Sequence, residues 1–209
     1  MTRNPGLMEG VATLGLQLPD AAENQFGAYL DLLEKWNAVI NLTAVRQRPH
    51  MVTLHLLDSL TVVPHLAGKT RLLDVGSGGG MPGIPLAIAL PALQVTLLEP
   101  NQKKAAFLRQ VKLELELEHV EVVAERVESW QTEARFDAIT SRAFSDLPDF
   151  VAGARRLLAP GGVLIAMKGV VPFEELNRLG PDVVPEVVPV AVPQLAAERH
   201  LVILGSPLS

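Results

Sequence analysis

The chain has 209 residues, enough for one α/β domain with a modest appendage and too few for two full enzymatic domains. Apolar residues make up 48% and charged residues 20%, which excludes a wholly disordered chain. The 23 acids and 18 bases give a net charge of -5, which excludes a protein that coats nucleic acid by bulk charge but not one with a nucleic-acid substrate. With no cysteine, disulfides, Cys-ligated zinc, iron–sulfur clusters and every thiolate nucleophile are ruled out, and no metal site is expected. The N-terminal stretch lacks an uninterrupted apolar h-region, and the most apolar run, Ile84 to Leu98, is broken by Pro85, Pro91, Gln94 and Thr96. A soluble, cytoplasmic and monomeric protein is expected.

In chain order, Phe26, Tyr29, Leu30, Leu33 and Trp36 outline one face of an amphipathic helix, whose start is marked by Pro19 and Asp20 with Glu23 in capping-box position. Leu54, Leu57, Leu60 and Val63 outline another helix, ended near Pro64. Residues 1–70 therefore read as an N-terminal helical cap. From Arg71 onward short apolar runs alternate with helical patterns, so 71–209 reads as βαβ units on a mostly parallel sheet. Strands are predicted at 71–75, 94–99, 120–124, 136–140 and 162–167, with helices at 83–90, 101–117, 146–158 and near 173–179. Two late strands, 183–192 and 200–204, suit an antiparallel C-terminal edge, where Pro185, Pro189 and Pro193 are tolerated. The fold class is α/β, a Rossmann-like sheet with a helical cap, the two forming one structural unit.

The strongest motif is LLDVGSGGGMPGIPLAIAL at 72–90, a strand that runs into a glycine-rich turn and then a helix. Glycine is needed where the backbone turns with positive φ and a ligand approaches closely, and this turn sits at a strand's carboxyl end, where doubly wound sheets bind ligands. Gly80 is followed by Met81 and Pro82 rather than Lys-Ser/Thr, which disfavours a nucleoside triphosphate. Met81 also stands where a dinucleotide fingerprint wants small packing. S-adenosylmethionine needs a glycine turn, an acid after the second strand and an apolar slot with a polar tip. Asp74, Gly76 and Gly78 supply the first, Glu99 the second, and Val127 and Glu128 the third, in that order. After the fourth strand stands Ser141-Arg142-Ala143-Phe144 rather than the Asn/Asp-Pro-Pro-aromatic signature of exocyclic-amine methylation. That redirects the chemistry toward an acceptor with a free lone pair, such as guanine N7, for which no general base is needed and alignment carries the catalysis.

The segments WNAVINLTAVR (36–46), HLLDSL (55–60), LLDVGSGGGMPGIPLAI (72–88), TLLEPNQKKAAFLRQV (96–111), SRAFSDL (141–147), MKG (167–169) and ERHLVIL (198–204) closely resemble the RsmG family, also known as glucose-inhibited division protein B. The likeness runs from about Asp20 to the C-terminus. It implies methyl transfer from S-adenosylmethionine to N7 of one guanine in the decoding region of small-subunit ribosomal RNA. Carried over, the family's cofactor contacts fall on Gly76, Met81, Glu99, Pro100, Asn101, Val127, Glu128 and Arg142. Its signatures around Asn41, His55, Asp58 and Ser59 place the cap against the cofactor mouth, with Asn41 given an orienting role. A bare cation beside a sulfonium raises the barrier, so Arg142 is expected to orient cofactor and base, and Lys168 to hold a phosphate. An extruded guanine is expected, with Phe144 a candidate stacking partner.

Charge is uneven along the chain: residues 38–112 carry eight bases and three acids. Arg46, Arg48, Lys69, Arg71, Lys103, Lys104, Arg109 and Lys112 are therefore expected to form a basic rim about the glycine loop. Rival readings are a small-molecule methyltransferase, an NAD-dependent oxidoreductase, and a non-catalytic module that binds S-adenosylmethionine or RNA.

Overall fold

The computed structural model describes residues 4, 6–142, 144, 146–181 and 183–205. Ala143 and Ser145 of the SRAFSDL segment, and the tail beyond Gly205, lie outside the described residues. The cap comprises α1 (Leu7–Thr13), α2 (Ala22–Asn37), α3 (Arg48–Met51), a π-helical stretch (Val52–Leu57), α4 (Asp58–Leu60) and a 3₁₀ turn (Val63–Leu66). The remainder runs β1 (Arg71–Val75), α5 (Gly83–Ala89), β2 (Gln94–Leu98), α6 (Gln102–Glu114), β3 (Val120–Val123), β4 (Phe136–Ser141), α7 (Leu147–Ala154), β5 (Leu158–Lys168), α8 (Phe173–Leu176), β6 (Pro185–Pro189) and β7 (His200–Gly205).

The sheet order is β3-β2-β1-β4-β5-β7-β6, with β1 to β5 parallel and β7 antiparallel to both of its neighbours. After β3 the chain crosses back to the other side of β1. The carboxyl ends of β1 and β4 therefore flank the switch point, where a doubly wound sheet opens a crevice. The predicted antiparallel edge is present, but the last strand slots inward and β6 is outermost, with Pro185 and Pro189 at its two ends. There a missing N–H costs least.

Alternation sorts the strand side chains to two faces. Leu72, Ile165, Met167 and Leu201 join the core under the cap, α5 and α6, while Leu73, Val75, Leu164, Ala166, Val202 and Leu204 join the core under α7. Phe26, Tyr29, Leu30 and Leu33 of α2 are buried in the first of these cores, so among the described residues the cap shares its core with the sheet. Trp36 packs on Phe107 of α6 with ring centroids 5.7 Å apart.

Three expectations are corrected. The capping box does not form: α2 starts after Ala21, with no side-chain cap, because the backbone closes the turn itself through Ala22 N–H to Pro19 O at 2.9 Å. The helix expected over 146–158 ends early, since Arg155–Leu157 tightens into a 3₁₀ turn and Leu158 already pairs with Phe136. The helical stripe of the cap's second half is real but π-wound between Val52 and Leu57.

We propose that 1–70 and 71–209 unfold as one unit. Leu30→Ala removes a fully buried side chain from the shared core and is expected to cost about 2–5 kcal/mol in urea unfolding. In a Trp130→Phe background, Trp36 fluorescence and far-UV circular dichroism are expected to give one coincident transition; separate transitions overturn the proposal.

Candidate cofactor and acceptor site

Asp74 is the penultimate residue of β1 and is wholly inaccessible. Its Oδ2 accepts the Gly83 amide at 3.1 Å, which ties the strand to the start of α5, and its Oδ1 has no hydrogen-bond partner. A Cβ on Gly83 would lie 2.3 Å from Leu97 Cδ2 and 2.8 Å from Asp74 Oδ2, so only glycine permits this approach. Burial lifts the Asp74 pKa from 3.8 to about 6, against the lowering influence of Ser77, Gly83, Arg142 and Thr140.

The loop that follows turns with positive φ at Gly76, Gly78 and Gly80. It is pinned from several sides. Gly76 N–H donates to Leu98 O at 2.8 Å, and Gly78 N–H donates to Glu99 Oε2 at 2.8 Å. The other Glu99 oxygen accepts the Asn101 amide at 2.8 Å, and Asn101 Oδ1 caps α6 by accepting Lys103 and Lys104 N–H. From the cap, the buried Tyr29 hydroxyl donates to Gly79 O at 2.5 Å.

Two cavities meet at Gly76 and Pro100. One, of about 400 Å³, is lined by Leu42, the glycine loop, Met81, Glu99, Lys104 and Arg142. The other, of about 260 Å³, is a more apolar slot between Val75, Leu98, Val127, Glu128 and Phe144. Arg156 holds the slot's outer wall by donating to Val127 O at 2.6 Å and Trp130 O at 2.8 Å. A third cavity, of about 400 Å³, lies across Arg142 under the cap, and its lining includes His55, Asp58, Lys168, Arg199 and His200.

Arg142 thus stands between the loop cavity and the cap cavity. Its Nη1 donates to Leu54 O at 3.0 Å and lies 3.8 Å from Asp58 Oδ2, and its Nη2 reaches Met81 Sδ at 3.4 Å. Arg199 Nε donates to the other Asp58 oxygen at 3.2 Å. Burial raises the Asp58 pKa against the pull of both arginines. His55 Nε2 pairs with Thr43 Oγ1 at 2.9 Å while its Nδ1 is buried without a partner. Burial, then Arg142, lowers its pKa from 6.5 to about 4.

The structure therefore gathers Gly76, Gly78, Met81, Glu99, Pro100, Val127, Glu128 and Arg142 around the joined cavities, whereas Asp74, expected among the cofactor contacts, is wholly buried beneath the loop and lines neither cavity. Asn101 is at the rim with its side-chain oxygen committed to the helix cap. Asn41 is on the exposed lip, where its Oδ1 accepts Arg46 Nη2 at 3.4 Å. Lys168 is not available to a phosphate: Glu175 takes it at 2.8 and 3.1 Å, and Phe144 O at 3.3 Å. The basic rim contracts as well. Lys69 and Arg71 stand at the amino end of β1, opposite the loop, with Arg71 over the Phe136 ring at 5.3 Å. Arg48 is consumed by Asp31 and Glu34, and Arg109 and Lys112 lie further down α6. Arg46, Lys103 and Lys104 remain beside the mouth.

Sequence reasoning missed Tyr29, Asn37, Arg156 and Arg199 as parts of this arrangement. Asn37 Oδ1 accepts Leu42 N–H at 2.9 Å and Thr43 N–H at 3.1 Å, which shapes the segment that closes the mouth. The Asn-x-x-x-Asn spacing at 37 and 41 was the available signal.

The family model described as rRNA small subunit methyltransferase G matches residues 22–202. The chain belongs to this family. Relatives named ribosomal RNA small subunit methyltransferase G include that of Chromobacterium violaceum, 59% identical over 94% of both chains. That of Laribacter hongkongensis is 56% identical over 95% of this chain and 96% of the relative, and that of Neisseria meningitidis 51% over 98% and 99%. Among solved structures, an O-methyltransferase from Bacillus cereus in complex with SAH aligns with a TM-score of 0.59 at 20% identity, covering 86% of this chain and 91% of that one. A methyltransferase from Geobacter sulfurreducens aligns with the same TM-score and identity over 97% and 96%. Both show that the fold is the Rossmann-like methyltransferase sheet. Among the described residues, no helix is long and apolar enough to cross a membrane.

Asp74 and His55 give opposite pH signatures to the family site. Asp74 titrates at about 6 in the fold against 3.8 ordinarily, so the folded state binds more protons in that window and stability falls as pH rises through it. His55 titrates at about 4 against 6.5, so the unfolded state binds more protons and stability rises with pH. Each effect is on the order of 3 kcal/mol, and they oppose between pH 4 and 6. Asp74→Asn is expected to leave a steeper rise of stability with pH over this range, and His55→Gln a fall. Urea midpoints against pH test both; unchanged slopes overturn the assignment.

Proposed function

We propose that the chain is an S-adenosylmethionine-dependent methyltransferase that places a methyl group on N7 of a guanine in small-subunit ribosomal RNA, working as a cytoplasmic monomer. The observation that carries the cofactor half is the order of groups along the joined cavities. The open face of Gly78, where a Cβ would meet only Gly76 O at 3.8 Å, suits the methionine end, with Asp74 bracing the loop from beneath. The Glu99 carboxylate suits two ribose hydroxyls, and the slot between Val75, Leu98 and Val127, with Glu128 at its edge, suits adenine. Family membership carries the RNA half, and the guanine N7 assignment rests on the motif resemblance.

When bound, the cofactor supplies an electrophilic methyl group to a ring nitrogen whose lone pair is already free. The chain's own residues then have no proton to remove. Glu99 and the glycine-loop amides hold the donor, Arg142 orients donor and base from between the two cavities, and Asn41 borders the entrance. Lys168 is assigned to bracing, through Glu175, the wall where Phe144 stands. Arg46, Lys103 and Lys104 meet the RNA backbone, so binding weakens with salt.

Radiolabelled transfer to unmodified small-subunit RNA, free and in particles, with mapping of the label, tests the reading. Label on guanine N7 supports it. Label on a pyrimidine or an exocyclic amine, or transfer to small molecules alone, overturns it. Glu99→Gln is expected to weaken S-adenosylhomocysteine binding about 10-fold by calorimetry, since a charged acceptor is exchanged for a neutral one.

A further inference from the structure

Asp58 belongs to the cap, yet its carboxylate lies between Arg142, at the end of β4, and Arg199, at the start of β7. The helix that carries it is π-wound just before it. Asp58 N–H bonds to Thr53 O and His55 O rather than to Leu54 O, the partner an α-helix would use. Leu54 O instead receives Arg142 Nη1 at 3.0 Å. The π stretch thus presents one hydrogen-bond acceptor, and the carboxylate four residues on a counter-charge at 3.8 Å, to one guanidinium. Such bulges in a helix recur at functional sites because they free a carbonyl for another use.

We propose that Asp58 is a positioning residue for methyl transfer: with Leu54 O it holds the Arg142 guanidinium at the wall between the loop cavity and the cap cavity, and Arg199 keeps the carboxylate in place from behind. The kinetic consequence rests on the proposed function; the hold itself does not. Lys168 and His200 line the same cavity as Asp58. Thr61 Oγ1 takes its backbone carbonyl at 2.6 Å, and the His55 ring is committed to Thr43. The Asp58 side chain is only 6% exposed, while Arg142 and Arg199 keep 28% and 25% of their side chains exposed toward the cap cavity.

The direct test is ¹⁵N NMR of the Arg142 guanidinium in the full chain, which needs no transfer activity. A held group shows resolved, slowly exchanging Nη signals in the native protein, and Asp58→Asn or Asp58→Ser collapses them to an average. Averaged signals in the native protein, or resolved ones in both variants, overturn the proposal. The second test is a double-mutant cycle on kcat with unmodified small-subunit particles. Asp58→Asn is expected to lower kcat about 10-fold or more with little change in S-adenosylhomocysteine affinity, and to add nothing in an Arg142→Ala background. A merely structural Asp58 lowers the melting temperature and adds its loss to that of Arg142→Ala, which overturns the proposal. Resolved native signals that collapse in the variants, in a protein that methylates no ribosomal RNA, support the hold and sink only the functional reading.

Discussion

Arg142 brings a full positive charge to the seam between the helical cap and the sheet, and its field reaches Tyr29, His55, Asp58 and Asp74. A cation in such a place is costly unless acceptors surround it. The acceptors come from two segments far apart in sequence: Leu54 O and Asp58 from the cap, and Met81 Sδ from the glycine loop. The arginine itself follows β4. The sheet alone would leave the charge without its main partners, and the cap alone would leave Asp58 without its arginines. The shared core under α2 and this shared charge both favour the proposed unfolding of cap and sheet as one unit.

The glycine loop obeys a similar constraint. Glycines give a backbone freedom, and freedom alone does not make a binding site, so the loop must be held by its surroundings. Here Leu98 O, the Glu99 carboxylate and the Tyr29 hydroxyl each take one of its polar groups. Gly79 is enclosed so closely that a Cβ would lie 2.7 Å from Met81 Cε. The Tyr29 hydroxyl holds Gly79, two residues before Met81, and the arginine gripped by the cap reaches Met81 Sδ. A shift of α2 or of the π-helical stretch would therefore be felt at the donor and the acceptor side together.

Periodicity made the strands and the α2 stripe readable, because burial on one face imposes a spacing that no single side chain can hide. The ligand-end residues were readable for a related reason: a backbone that must turn at positive φ leaves glycines, and a strand that ends beside a ligand leaves an acid such as Glu99. What could not be read was choice of partner. Lys168 has the composition of a phosphate contact, and only the placement of α8 shows that Glu175 takes it first. Asn101 matches a cofactor position and is also the ordinary cap of α6. Eight bases within residues 38–112 read as one patch, yet a parallel strand five residues long separates Arg71 from the loop by the whole height of the sheet. The π-helix left no sequence trace, since its stripe of Leu54, Leu57 and Leu60 is equally that of an α-helix.

The pairing of charges around the cavities suits the proposed chemistry better than free cations would. Methyl transfer to N7 releases no proton and conserves net charge, moving a positive charge over a short distance from donor sulfur to acceptor ring. A site for such a step gains little from a strong field of either sign, because stabilising the product cation also stabilises the starting one. Alignment is what remains to be supplied. Lys168 against Glu175 is a cation largely cancelled within its own wall, and Arg142 shares the single Asp58 carboxylate with Arg199, which tempers its field without cancelling it. They keep geometric definition and hydrogen-bonding capacity while opposing the methyl cation less than free cations would. The acids of the site are then neither bases nor nucleophiles: Asp58 and Glu175 hold the cations in position, and Glu99 and Asp74 shape the loop between.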